Sequence, residues 1–265
     1  MGGALETSPG RGQATRSASD GATRRPDRGA VAADDTLVVA RLGRADYDTA
    51  HVLQQGLRER RLRAMMPDVL LLLEHASVYT LGRNADAAFL GAAENGPVPV
   101  RRVDRGGQVT YHGPGQLVGY GIVDLSRREL DVRGYVRALE DVMIRTAAAF
   151  GVGGTRVPGQ PGVWVGTRKL ASVGIGLRRW VSVHGFALNV ATDLSHFDAI
   201  VPCGLAGVRM TSLEAEGVRV DMGRVVDTAA TCFANVLGYR VVRAIDWAIG
   251  DWTGWLTATE EARHA

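Results

Sequence analysis

Lysine is all but missing from this chain. Of its 31 basic residues one, Lys169, is a lysine, which leaves 30 arginines. Such a bias lets arginine stand wherever any cation will serve. The surviving lysine then marks either a chance survivor or a position where arginine fails. A lysine can lose its proton when its surroundings shift its pKa, whereas a guanidinium stays charged. Cysteine is nearly as scarce, with Cys203 and Cys232 alone. With no recognisable signal peptide, two cysteines argue against a disulfide scaffold and for a reducing cytoplasm. Excess charge is small, at +3 with a pI near 9.1. No basic block is interleaved with aromatics, which makes nucleic acid a poor partner. Long apolar runs are also lacking. The longest, Val69 to Leu73, has the length of a strand, far short of the roughly 18–20 residues of a membrane span. What remains is ordinary for a soluble protein with a sizeable core, 46% hydrophobic and 22% charged over 265 residues.

The first 35 or so residues are rich in Gly, Ala, Ser, Thr and Arg without apolar periodicity, the composition of a disordered tail. The arginines Arg11, Arg16, Arg24, Arg25 and Arg28 are matched there by Glu6, Asp20, Asp27, Asp34 and Asp35. That balance is unlike an organelle transit peptide, which is poor in acids. One domain is expected over residues 36–255, followed by a short tail, 256–265.

Within the domain, Thr36 to Leu42 reads as a strand. Asp46 then caps a helix from Tyr47 to about Met65 with Ala50, Leu53, Leu57 and Leu62 inward, broken by Pro67 and Asp68. Val69 to Glu74 is a strand apolar on both faces. His75 to Asn84 is expected as a loop from which Thr80, Gly82 and Arg83 reach a site; Arg83 could equally be a solvated surface charge. Val98 to Val103 and Gln116 to Leu125 read as strands. A helix runs from Val132 to Phe150, with Gly151 as its stop. Three β-like runs follow: Val163 to Val165, Leu170 to Leu177 and Trp180 to Val190. Gly166-Thr167-Arg168 turns the first into the second, and Arg178-Arg179 makes the next turn. Leu194 to Leu205 is a loop, Met210 to Glu216 a short helix, and Arg224 to Leu237 the last helix, with Val225, Ala229, Phe233 and Val236 inward. Trp247, Trp252 and Trp255 are expected to pack on the core.

The stretch from Arg105 to Tyr120, RGGQVTYHGPGQLVGY, organises the chain. Gly106-Gly107 and Gly113-Pro114-Gly115 flank a strand-like run. Glycines there permit turns closed to other residues and a close approach to a ligand. Arg105, Gln108, Thr110 and His112 can then stand at the rim of a pocket. The same residues would also build a plain hairpin with two glycine turns.

Cys203 is the candidate nucleophile. It lies in a Pro-Cys-Gly loop outside any apolar pattern, where a thiol is exposed and the following amides are free to donate. Cys232 falls on the core-facing stripe of the last helix and behaves as a small hydrophobe. A cation beside a thiol stabilises the thiolate, so a Cys203–Lys169 pair would make a nucleophile with a proton acceptor beside it. His112 could orient a substrate, act as a base for Cys203, or simply be satisfied by backbone. His184 and His196 read as structural. Six histidines and two cysteines without close ligand spacing predict no metal. No Walker loop or dinucleotide fingerprint is present, so no nucleotide cofactor is expected.

Taken together, TLGR (Thr80 to Arg83), RGGQVTYHGPGQLVGY, GVWV, RKLASVGI, HGFALNV and PCGL resemble the lipoyl(octanoyl) transferase, or LipB, family over residues 36–240. The resemblance implies an α/β (α+β) fold, a mixed β-sheet flanked by helices, shared with biotin and lipoate protein ligases. It implies that Cys203 carries the acyl group as a thioester and that Lys169 promotes its ionisation. Arg105, Gly106, Gly107, Gln108, Val109, Thr110, Tyr111 and His112 match the acyl-binding loop. Ser172, Val173 and Gly174, with Gly185, Phe186 and Ala187, match the other substrate-contacting segments. The implied donor is octanoyl-acyl carrier protein. The implied acceptors are lipoyl domains of 2-oxoacid dehydrogenase complexes and the glycine cleavage H protein. No cofactor is implied, since thioester exchange followed by amide formation needs no ATP. The acyl groove is expected along Val109 and Leu117, with oxyanion donors near Gly204 or in the glycine loop. The N-terminal tail departs from the family pattern. The rival on the same fold is an ATP-dependent lipoate or biotin ligase, and from another class a module that only holds a carrier domain.

Overall fold

A strand buried on both faces needs helices on each side, and the chain supplies them. The computed structural model describes residues 35–219 and 221–246. The chain runs β1 (Thr36–Ala45), α1 (Tyr47–Leu62), β2 (Asp68–His75), β3 (Val78–Leu81), β4 (Val100–Arg102), β5 (Val109–His112), β6 (Gln116–Ile122) and α2 (Val132–Ala148). It continues with β7 (Thr155–Val157), β8 (Gln160–Val165), β9 (Arg168–Arg178), β10 (Val181–Asn189), β11 (Arg209–Met210), α3 (Met222–Leu237) and β12 (Val241–Asp246). Nine strands form one mixed sheet in the order β12-β1-β2-β6-β10-β9-β8-β7, with β11 beside β9. β1 pairs in parallel with β12 and β2, whereas β2, β6, β10, β9, β8 and β7 pair antiparallel in turn. The remaining three make a small sheet, β4-β3-β5.

Alternation along the strands sorts the core into two layers. Leu37, Val39, Leu70, Leu72 and Leu188 pack against Tyr135, Leu139, Val142 and Met143 of α2 and Val225, Ala229 and Phe233 of α3. Ala40, Leu42, Val69, Leu71, Leu73 and Val118 face Ala50, Leu53 and Leu57 of α1. A third cluster under the small sheet joins Tyr79, Leu81, Val109 and Tyr111 to Leu90, Phe197 and Ile200.

Asp46 caps α1 as expected, its side chain accepting from Thr49 N–H. The helix stops at Leu62, well before Pro67. Ala64 takes a left-handed φ of 55°, and Ala64 and Met65 bond back to the carbonyls of Arg61 and Arg60. That double closure is a Schellman stop, which ends the helix before proline can. Asp68 is no mere breaker either. It opens β2, 1% exposed, and its carboxylate accepts from Arg61 (2.7 Å) and Tyr239 (2.9 Å) with Arg128 at 3.5 Å.

Four further expectations change. The segment after His75 is not all loop, since Val78–Leu81 is β3, paired antiparallel with β5 and parallel with β4. The glycine-rich stretch is not a hairpin, because β5 belongs to the small sheet and β6 to the large one. The turn before β10 is centred on Arg179 and Trp180, both at positive φ, rather than on Arg178-Arg179. Residues 210–216 form no helix. Met210 pairs with Lys169, and the chain then turns, with Leu213 and Glu214 donating to Asn189 and Val190 carbonyls. The N-terminal tail, Trp247, Trp252, Trp255 and the C-terminal tail lie outside the described residues.

Candidate active site

The break between β5 and β6 opens a cavity between the two sheets, on the face closed by the first turn of α1. Its volume is about 160 Å³. That is comparable to an engineered apolar cavity of about 150 Å³ that stays dry and takes benzene. The floor is made by small residues that register pairs across two strands: Ser172 opposite Ala187 and Gly174 opposite Gly185. Val173 and Phe186 complete these segments at the cavity. From the glycine-rich stretch come Arg105, Gly107, Gln108, Val109, Thr110 and His112.

Two residues of that stretch face elsewhere. Gly106 donates its N–H to Ile175 O and borders a neighbouring crevice with Arg83. Tyr111 turns into the small-sheet core, its hydroxyl paired with Ser77 and its ring stacked on His196 at 4.4 Å. Leu117 is also not in the groove. It packs in the α2/α3 layer, on the other face of the sheet. Sequence reasoning missed Tyr47, Tyr120, Pro161 and Leu205, which also line the cavity. Tyr47 follows the Asp46 cap directly, and nothing in its spacing separates a cavity residue from a core one.

Cys203 and Lys169, far apart in the chain, meet here. Lys169 Nζ donates to Cys203 Sγ at 3.1 Å, and Ser172 Oγ lies 3.9 Å from the same sulfur. The strained turn Pro202–Gly204 presents the thiol, with Cys203 at φ 57° and Gly204 at 70°. A non-glycine residue in this region costs of order 1–3 kcal/mol and persists only where its surroundings enforce it. They do: Val201 N–H donates to Phe89 O, and any Cβ on Gly204 would stand 3.0 Å from Gln108 Cγ and Phe89 Cε2. The turn closes on itself, however. Gly204 N–H and Leu205 N–H donate to Val201 and Pro202 carbonyls, so the amides after Cys203 are engaged rather than free.

Lys169 is 2% exposed. Its stem passes over Gly162, where a Cβ would come within 2.8 Å of Lys169 Cε and 2.3 Å of Ala171 O. Gly162 takes φ 126° and its N–H is held by Glu140 of α2 at 2.9 Å. The ammonium lies 5.3 Å from the Trp164 ring centroid. Helix α2 thus fixes, through one glycine, where the lysine can reach.

The histidines are tied into polar chains. Arg105 Nη2 donates to Thr80 Oγ1 (2.7 Å), which faces His112 Nε2 at 3.4 Å; His112 Nδ1 and Gln116 Oε1 are 2.7 Å apart, and Gln116 Nε2 donates to Asn189 Oδ1 (2.9 Å). The direction of donation makes His112 protonated on Nδ1, a tautomer assigned from its partners. Burial pushes His112 down to about 3 and His75, whose Nε2 meets Tyr120 OH at 2.7 Å, down to about 4. Neither ring nitrogen of His112 meets Cys203, so a base role at the sulfur has no geometric support. Thr80, expected to reach the site from a loop, acts from a strand. His184 is more than structural filling: it lines the cavity at φ 58° and bonds Asp104 at 2.9 Å. His184, Asp104 and His51 each bring one possible ligand atom within 4.8 Å of the others. The Asp104 carboxylate there is already engaged by His184 and by Arg58 at 3.3 Å.

The α/β framework agrees with the comparisons. In fold, the chain is similar to a putative lipoate protein ligase from T. acidophilum (TM-score 0.61, 16% identity, 84% of this chain and 94% of that one). It is likewise similar to lipoate-protein ligase A bound with ATP (TM-score 0.60, 16% identity, 83% and 92%). The family model of the lipoyl protein ligase A/B catalytic domain matches residues 46–234. In sequence, octanoyltransferase of Solibacter usitatus is 47% identical over 205 residues, 76% of this chain and 93% of that protein. Octanoyltransferase of Geobacter metallireducens is 44% identical over 209 residues, 77% and 95%. The chain therefore belongs to the lipoyl protein ligase A/B catalytic-domain family, among its octanoyltransferases, which are acyltransferases. Among the described residues no helix is long and apolar enough to cross a membrane.

Proposed function

We propose that this protein transfers an octanoyl group from octanoyl-acyl carrier protein to the lysine of a lipoyl domain, through a thioester on Cys203. The observation that carries this reading is the 3.1 Å contact between Lys169 Nζ and Cys203 Sγ, both of which line the cavity. In the first step the Cys203 thiolate attacks the donor's thioester carbon, the new C–S bond forms, the donor's own C–S bond breaks, and the carrier's thiolate leaves with the proton of the Lys169 ammonium, which becomes a neutral amine. In the second, the acceptor amine attacks the acyl-enzyme. The C–N bond forms, the C–S bond breaks, and the proton shed by the amine passes to Lys169. Ser172, Val173 and Gly174, with Gly185, Phe186, Ala187 and, from the glycine-rich stretch, Arg105, Gly107, Gln108, Val109, Thr110 and His112, would hold the acyl chain or shape its cavity. The acceptors in this reading are lipoyl domains of 2-oxoacid dehydrogenase complexes and the glycine cleavage H protein. A free thiol of this kind suits a reducing compartment, and we assign the enzyme to the cytoplasm.

The test is ATP dependence. Octanoyl-acyl carrier protein and a lipoyl domain, without nucleotide, should yield octanoylated domain. Product that forms only from free octanoate with ATP would make the protein a ligase, and a stable complex without product would make it a binding module.

A further inference from the structure

Arg105 is a buried cation without an anion. The residue is 8% exposed. Its Nη1 donates to the carbonyls of Gly106 (2.9 Å) and Gln108 (3.0 Å), and its Nη2 to Thr80 O (2.8 Å) and Thr80 Oγ1 (2.7 Å). All four acceptors are neutral. The adjacent carboxylate, Asp104, is spent on His184 and Arg58, and among the described residues no carboxylate reaches Arg105 within ion-pair distance. An unpaired charge taken out of water is expensive, and hydrogen bonds to neutral oxygens offset only part of that cost.

The groups facing the same cavity say which anion it serves. Lys169 is a second buried cation. His112 and His184 are pushed down by burial and stay neutral, while burial pushes the Tyr47 and Tyr120 phenols up. Cys203 is thus the remaining acidic group among the described residues that line the cavity. Distance allows the coupling. The Arg105 side chain lies over Gly174, whose Cβ would stand 3.1 Å from its Cδ, and Ser172 Oγ lies 3.9 Å from the Cys203 sulfur. Ser172 and Gly174 are two residues apart on one face of β9, roughly 7 Å. Burial lowers the proton affinity of Arg105, and negative charge on Tyr47, then on Cys203 and Tyr120, acts in the opposite sense.

We propose that Arg105 is the permanent counter-charge of the site. Its guanidinium stabilises negative charge on the Cys203 sulfur, and then on the acyl oxygen in transit, leaving Lys169 to exchange protons. With two cations and one sulfur, one positive charge is in excess; Arg105 cannot shed its own, so the proton that comes and goes is that of Lys169. Only the second half of this proposal, the acyl oxygen, rests on the acyl-transfer reading.

The experiment is the rate of Cys203 alkylation by iodoacetamide against pH, in a Cys232→Ala background, with the label mapped by peptide mass. Arg105→Met should move the midpoint upward by about one pH unit or more, a roughly tenfold loss of thiolate at a given pH. Arg105→Lys should stay near the parent. Thr80→Val removes one bond of the guanidinium's set without changing charge and should lower the melting temperature while leaving the midpoint in place. A midpoint unmoved in a folded Arg105→Met protein overturns the proposal. So does a Thr80→Val or Arg105→Lys midpoint that climbs as far, because loop geometry would then be acting; these two decide the matter if Arg105→Met does not fold. The readout needs no acyl donor or acceptor, so it can fail or succeed independently of the transferase reading.

Discussion

Lys169 Nζ stands 3.1 Å from Cys203 Sγ across 34 residues of sequence, with the lysine buried to 2% exposure and the cysteine at φ 57°. One β-strand and one strained turn create the pair. If the amine accepts the proton shed in the second half-reaction, charge alone will not replace it. Lys169→Arg is therefore expected to fold and to lose at least 100-fold in kcat, of the order that general acid–base groups contribute. Single-turnover transfer measured beside circular dichroism checks this, and near-native rates would remove proton transfer from the role of Lys169.

Gly162 gives a sharper test of positioning. A methyl group there would come within 2.8 Å of the Lys169 stem and 2.3 Å of a backbone oxygen, at φ 126°. Gly162→Ala is expected to lower kcat by about tenfold or more, as displacement of a reacting group by about 1 Å can cost up to 100-fold, with KM for the donor little changed. A proportionate rise in KM with unaltered kcat would point to the acyl cavity instead.

The two cysteines should separate cleanly. Cys203→Ala is expected to abolish acyl transfer, while Cys232→Ala, half-buried against the α3 layer, costs little beyond about 1 kcal/mol of stability. Activity of Cys203→Ala above background would remove covalent catalysis from the account.

How much of this was legible follows from how local each signal is. The Asp46 cap and the α2 helix are read from neighbouring residues and the lone lysine from composition, whereas only the fold shows that Lys169 and Cys203 stand together. β3, β7 and β11 are four, three and two residues long. Runs that short show no period and exist because a partner strand supplies their hydrogen bonds. Residues 78–81 thus read as loop, and β12, which pairs in parallel with β1 at the far end of the chain, was invisible. The glycine-rich stretch was recognisable as a site but not as a crossing between sheets. Tyr111, between the cavity residues Thr110 and His112, packs in the small-sheet core, and Leu117, beyond the crossing, packs in the α2/α3 layer.

Acid sensitivity follows from the buried histidines. His75 and His112 stay neutral in the fold down to about 4 and about 3, whereas in the unfolded chain they take up protons near 6.5. Protons therefore favour the unfolded state as pH falls below about 6.5, a loss that continues until the folded histidines themselves titrate. At pH 5 each contributes about 2 kcal/mol of lost stability. Urea unfolding between pH 7.5 and 5 should show this slope, and His75→Gln should flatten it. A flat profile in the native sequence would contradict the burial of both rings.

The Asp68 carboxylate, 1% exposed between Arg61, Arg128 and Tyr239, predicts a stability effect remote from the site. Asp68→Asn removes the carboxylate that Arg61 and Arg128 share, with Asp124 still 3.7 Å from Arg61, and is expected to cost about 3 kcal/mol. Chemical denaturation measures it, and a change below 1 kcal/mol would mean the cluster is hydrated or redundant.

The most direct measurement is the intact mass of the protein mixed with octanoyl-acyl carrier protein in the absence of ATP, followed by addition of a lipoyl domain. The account predicts an octanoyl adduct that maps to Cys203, persists until the domain is added, and then disappears as the domain's lysine gains the same mass. An octanoylated domain formed with no adduct on Cys203 at any time would contradict it.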